Sequence, residues 1–153
     1  MTVRRATPDD APELVRLRRV MLDAMGVDHS GAEWAAECER VLREGLVSER
    51  MAAFVVDAPS GGLVAGGVGM VEQRLPEPLN PSGRRGHVQS MATDPEARGQ
   101  GHARAVFAAL MAWYAGNGVT SVELHATPAG ERLYREHGFR EGRNPALSWY
   151  AGR

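Results

Sequence analysis

The sequence predicts a mixed α/β fold, an α+β arrangement with a central mixed β-sheet flanked by about four helices. Three observations carry that reading. The chain has 153 residues, the size of one domain, and its 43% hydrophobic and 24% charged content is ordinary for a packed globular protein. Apolar residues at helical spacing alternate with short β-branched runs, in the order β α α β β β α β α β β. The segment 86–110 changes from strand to helix pattern across a glycine-rich turn, RGQGHA (98–103).

Residues 2–6 read as a short strand. Thr7 caps the helix that follows, with Pro8 in its first turn and Asp9 and Asp10 near its positive end. Leu14, Leu17, Met21 and Met25 define one apolar face, and Gly26 ends the helix. A second helix covers about 30–47, with Trp34, Cys38, Val41 and Leu42 turned inward. MAAFVVDA and LVAGGVGMVEQRL, joined by PSGG, make a hairpin over 51–75. Gly66, Gly67 and Gly69 weaken its second strand and call for a bulge or close packing there.

The loop PEPLNPSGRR (76–85) is long enough to border a site, and GHVQSMATD (86–94) is the next strand. From Gly101 a helix presents Ala103, Val106, Phe107, Leu110, Met111 and Tyr114 on one face and closes at Gly116 and Gly118. VTSVELHAT (119–127) is a further strand, PAGERLYREH (128–137) a short helix, and GFRE and PALSWY two final short strands. Trp34, Trp113 and Trp149 show no stacking periodicity and read as core or edge packing.

Composition removes several classes of function. A formal net charge of -1 offers no global attraction for nucleic acid or an anionic membrane, so neither is an expected partner. Cys38 is the single cysteine, which excludes an intrachain disulfide and a cysteine-rich metal centre; it reads as a small buried hydrophobe. No metal is expected. The N-terminal stretch lacks the apolar core of a signal peptide and no run reaches membrane-span length, so a reduced, cytoplasmic location is expected.

The turn at 97–103 carries the chemistry. The first amides of a helix have no internal acceptors, and the helix dipole adds positive potential, so a glycine-rich turn at that point is an anion site. Gly99 and Gly101 permit positive φ and close backbone approach, and Arg98 can add a charge-assisted contact. Of the phosphate motifs, G-x-G-x-x-G fails because Arg104 stands where its third glycine would be, and a P-loop ending in G-K-S/T is absent. What remains is R-x-x-G-x-A, in Arg98, Gly101 and Ala103.

That hexapeptide resembles the acyl-CoA signature of the GNAT superfamily of N-acetyltransferases, Q/R-x-x-G-x-G/A. Its setting strengthens the resemblance: a strand ending in MATDPEA precedes it, an amphipathic helix follows, and LYREHGF (133–139) resembles the LYxxxGF that closes a GNAT core. The element order matches over essentially the whole chain, with 1–153 as one GNAT-like domain.

The resemblance implies acetyl-CoA as co-substrate and an amine of a small molecule or peptide as acceptor, with direct transfer through a ternary complex. It implies a splayed strand pair in which Met91, Ala92 and Thr93 expose backbone polar groups to the pantetheine arm. The pyrophosphate would lie on the amides of Arg98, Gly99, Gln100, Gly101, His102 and Ala103, where the backbone N–H of His102 matters more than its ring. Tyr134 is implied as the acid that protonates the departing thiolate. For the base, His87 resembles one of two strand histidines of arylalkylamine acetyltransferases, with Gln89 in place of the other; Glu72, His125 and water are the alternatives. Arg84 and Arg85 read as solvated charges or as contacts to an anion. Asp23, Asp28 and Glu33 border an expected acceptor pocket formed with the 76–85 loop and the last hairpin. A homodimer is compatible with the family. A different acyl-CoA donor, or a non-catalytic acyl-CoA sensor, would use the same fold.

Overall fold

The computed structural model describes residues 2–152. In chain order it forms β1 (Val3–Arg5), α1 (Ala11–Ala24), α2 (Glu33–Gly45), β2 (Met51–Asp57), β3 (Leu63–Gln73), β4 (Arg84–Thr93), α3 (His102–Gly116), β5 (Val122–Glu123) and α4 (Glu131–Glu136). The strands make one sheet in the order β1-β2-β3-β4-β5. The first three pairings are antiparallel and β4–β5 is parallel, which gives the expected mixed sheet.

The helix start at Thr7 forms as a single 3-10 turn, Pro8–Asp10, that runs into α1. The Thr7 amide donates to the Asp10 carboxylate at 2.8 Å, satisfying one of the orphan donors of a helix end. Arg4 then holds Asp10 through two bonds of 2.9 Å and reaches Asp57 as well, tying β1 to the start of α1 and the end of β2.

Two apolar clusters sandwich the sheet. One joins Leu14 and Leu17 of α1 and Leu42 of α2 to Val55 and Val68. The other joins Phe107, Leu110 and Tyr114 of α3 to Val71 and Val88. The glycines of β3 let α3 come close: a Cβ at Gly67 would lie 2.8 Å from Val106 Cγ1, and one at Gly69 would lie 2.5 Å from the Tyr114 hydroxyl. Gly86 of β4 faces the same ring, where a Cβ would lie 2.5 Å from Tyr114 Cε1. A bulge accompanies the close packing. Val68 pairs with Ser90 and Gly69 with Val88, so Gln89 is an extra residue in β4.

Several expectations change. Among the described residues, GFRE and PALSWY form no strand, and β5 is reduced to Val122–Glu123. A strand needs a partner ladder, and the two residues of β5 offer too short an edge for another to build on. Trp149 is accordingly exposed rather than packed, whereas Trp113 is buried. Val41 and Met25 are also exposed, because α2 turns mainly Leu42 inward and the last turn of α1 runs past the sheet. Ala103 lies in the first turn of α3 and is exposed, ahead of the helix's contact with the sheet at Val106. No helix among the described residues is long and apolar enough to cross a membrane.

Candidate functional site

β4 and β5 are paired only at Gly86–Val122 and His87–Glu123, extended by the Gly86 amide donating to Ser121 at 2.8 Å. Beyond His87 the outer edge of β4, including Met91, Ala92 and Thr93, faces no strand among the described residues. The expected splay is therefore present, and the Gln89 bulge sits where it begins. Arg18 donates to the Gln89 carbonyl at 3.0 Å, and Arg98 Nε donates to that of Thr93 at 3.3 Å.

The end of β4 leads into the glycine-rich turn. Gly99 has φ 76° and Gly101, the residue that caps α3, has φ 85°. That left-handed region is reached easily only without a Cβ, so both glycines serve the backbone path. Among the described residues, no protein acceptor is found for the amides of Gly99 to Arg104; the first bond of the helix is Ala105 N–H to Gly101 at 3.1 Å. His102 Nδ1 is enclosed and has no protein partner either. The free amides lie at the positive end of α3, a setting that suits an anionic group such as a diphosphate.

The gap separates two chemically different faces. On the α3 face, the Tyr134 ring of α4 packs on Phe107 at 5.0 Å and on Phe139 at 6.3 Å. Burial raises the pKa of its phenol, which keeps the proton on at neutral pH. Tyr134 is a buried residue, yet its hydroxyl is not sealed from solvent and, among the described residues, takes no hydrogen bond.

On the α1 face, the candidate bases Glu72 and His125 both lie beside His87, together with Glu123. Glu72, His87 and Glu123 bring their polar atoms within 4.8 Å of one another, and the His87 and His125 rings are 5.7 Å apart. Burial lowers the pKa of His87, while Glu123 and Glu72 pull it upward. Glu123 is the residue that sequence reasoning missed. Its carboxylate accepts from Arg74 at 2.5 Å and Arg85 at 3.1 Å and lies 3.7 Å from His87 Nδ1. Burial alone would raise its pKa, but the Arg85 hydrogen bond and the charges of Arg74 and Arg85 hold it low. The available signal was the alternation V-E-L-H, which puts Glu123 and His125 on one face of a strand.

Other expected contacts are used internally. Arg84 donates to the Asn117 carbonyl at 2.7 Å, and Arg85 serves Glu123. Asp23 pairs with His29 and Asp28 accepts from the Ser30 amide at 3.0 Å, so both acids shape the α1–α2 loop rather than standing free. Arg19 completes that loop by donating to the His29 carbonyl and stacking 4.9 Å from the Trp34 ring centroid. Among the described residues, the segment expected as the last hairpin is irregular chain rather than strand. A separate cavity of about 370 Å³ at Glu13, Arg16, Leu63 and Asp94 is spanned by the Arg16 guanidinium, which pairs with both acids. Cys38 is half-buried, and burial raises its thiol pKa, in keeping with a packing role.

Comparison with known proteins gives a consistent result. The model of the acetyltransferase (GNAT) family matches residues 14–139. Glucosamine 6-phosphate N-acetyltransferase 1 of Oryza sativa subsp. japonica is 31% identical over 96 residues, 63% of this chain and 56% of that protein. The chain thus aligns with little more than half the length of this curated relative. A GCN5-related N-acetyltransferase from Ralstonia eutropha JMP134 superposes with a TM-score of 0.82 at 25% identity, covering 97% of both chains. A predicted acetyltransferase from Clostridium acetobutylicum, solved with acetyl-CoA, superposes with a TM-score of 0.87 at 21% identity over 96% of this chain and 94% of that one.

Proposed function

This chain belongs to the acetyltransferase (GNAT) family, whose members use acetyl-CoA, and from that premise we propose that it moves an acetyl group from acetyl-CoA to a primary amine by direct transfer. The acceptor is a small molecule or the amine of a peptide. One observation supports the reading: among the described residues, the unpaired edge of β4 beyond His87 runs toward the orphan amides of Gly99 to Arg104, with Tyr134 in the apolar cluster on the α3 face and His87 beside Glu72 and Glu123.

Each part has a chemical task. The amides of Gly99, Gln100, Gly101, His102 and Ala103, with Arg98 beside them, hold the diphosphate of the co-substrate at the helix N-terminus. The free edge of Met91, Ala92 and Thr93 offers backbone donors and acceptors to its amide-bearing arm, as an added strand would. When bound, acetyl-CoA supplies an activated thioester. His87, whose pKa burial lowers, is neutral at neutral pH and takes a proton from the acceptor ammonium, leaving a nucleophilic amine. Tyr134 keeps its proton until a thiolate departs and then supplies it. Retention of Tyr134 with a solvent-reachable hydroxyl favours turnover over a sensor role.

Isothermal titration tests the co-substrate half of this reading. Acetyl-CoA and CoA bind and NAD does not. Gly101→Val forces a branched side chain into the left-handed region, a strain of about 1–2 kcal/mol, and weakens acetyl-CoA binding roughly tenfold or more. Binding of NAD without acetyl-CoA, or full affinity in Gly101→Val, contradicts it. For the acceptor half, the amines to offer include aminoglycosides, polyamines, amino acids, peptides and, because of the rice relative's name, glucosamine 6-phosphate.

A further inference from the structure

We propose that Glu123 is a positioning residue for His87, and that this clamped carboxylate–imidazole pair is the base that deprotonates the acceptor. The inference rests on the acetyl-transfer reading above and goes beyond it by choosing among the bases and assigning a role to a β5 carboxylate.

The choice follows from what each neighbour is already doing. Glu72 is exposed and accepts two bonds from Arg74, at 2.8 and 3.2 Å. His125 lies on β5's continuation, beyond the last paired residue, and touches His87 only ring to ring. His87 is anchored in the ladder, paired with Met70 on one side and Glu123 on the other, and its carbonyl accepts from the buried Tyr114 hydroxyl at 3.0 Å. Its side chain is only 20% exposed. The register His87–Glu123 fixes which acid it meets.

Glu123 is suited to orienting rather than accepting a proton. Each of its carboxylate oxygens is bonded to an arginine, Oε1 to Arg74 and Oε2 to Arg85, so it stays ionised and still. His87 presents Nδ1 to it at 3.7 Å. A carboxylate there favours the tautomer with hydrogen on Nδ1, leaving the Nε2 lone pair to accept. It also stabilises the imidazolium that forms, and the pair draws together as charge develops. The groups facing His87 are Glu72 of β3 and Arg74 just after it, Arg85 from β4, Glu123 of β5 and His125 just beyond it, with Arg18 of α1 bonded two residues along at Gln89.

The step balances without a further reagent. His87 Nε2 takes one proton from the ammonium and releases it to solvent. The amine nitrogen forms its bond to the acetyl carbon as the carbon–sulfur bond breaks. The sulfur leaves with the electron pair and takes the Tyr134 proton, and the second nitrogen proton restores Tyr134. The sum is an amide, a thiol and one proton.

Glu123→Gln tests the assignment. In thiol-release assays the variant loses about tenfold in kcat/KM, a fraction of the 10²–10⁴ that a general base supplies, with acetyl-CoA affinity unchanged. Because Glu123 pulls the His87 pKa upward, its removal moves the acidic limb of the pH–rate profile to lower pH; a merely structural defect scales the profile without moving it. Glu123→Asp, which keeps the charge, returns the limb toward its original position. Nitrogen-15 NMR of the unliganded protein gives a reading free of turnover: His87 carries its hydrogen on Nδ1, and its titration midpoint falls in Glu123→Gln. An unmoved midpoint, or a wild-type His87 with hydrogen on Nε2, overturns the pair while leaving acetyl transfer intact. Absence of amine-dependent thiol release from the wild type overturns both.

Discussion

At the scale of single residues, one hydroxyl distinguishes packing from chemistry at Tyr134. The ring is held by Phe107 and Phe139, and a phenylalanine keeps those contacts. Tyr134→Phe therefore lowers kcat about 10²-fold, the lower range for loss of a general acid, while titration finds acetyl-CoA affinity within about twofold of the parent. Equal turnover in the variant would remove Tyr134 as the proton donor. The segment LYREHGF made this residue legible, because its cue is local. His87 was legible as an alternating strand position. Glu123 was not, because its role depends on the parallel register His87–Glu123 and on arginines from two other segments, Arg74 and Arg85.

At the scale of elements, the glycines of β3 and β4 set how closely α3 lies against the sheet, and α3 carries the anion-binding turn. Gly86→Ala puts a methyl 2.5 Å from one Tyr114 ring carbon and 2.9 Å from two others. The ring has little room to retreat, since its buried hydroxyl donates to Met70 and His87 carbonyls at 3.3 and 3.0 Å. Overpacking of this kind costs about 1–3 kcal/mol, read as a lower urea midpoint with an unchanged slope; an unchanged midpoint would mean the contact is slack. Gly66, Gly67 and Gly69 call for close packing or a bulge in their strand; the packing appears, whereas the bulge opposite Val68 and Gly69 has its extra residue in β4. The bulged residue itself, Gln89, had no local cue. The last two predicted strands failed for the complementary reason. PALSWY has a strand's composition, but pairing needs an edge, and β5 ends after Glu123.

At the scale of the whole molecule, the parallel pair β4–β5 ends after two residue pairs, which leaves the outer edge of β4 beyond His87 unpaired among the described residues. In the proposed reaction that edge is where a thioester and an amine meet, as direct transfer between two bound substrates requires. The architecture was readable from element order because helices and strands alternate with distinct periodicities. The acceptor pocket was not readable: its expected acids, Asp23 and Asp28, are engaged within the α1–α2 loop. Amine acetylation is measured by thiol release from acetyl-CoA. With enzyme, acetyl-CoA and a panel of amines, release is expected to rise with at least one amine and to match the acetylated product mole for mole. Release that is indifferent to every amine, or none at all despite tight acetyl-CoA binding, would contradict it.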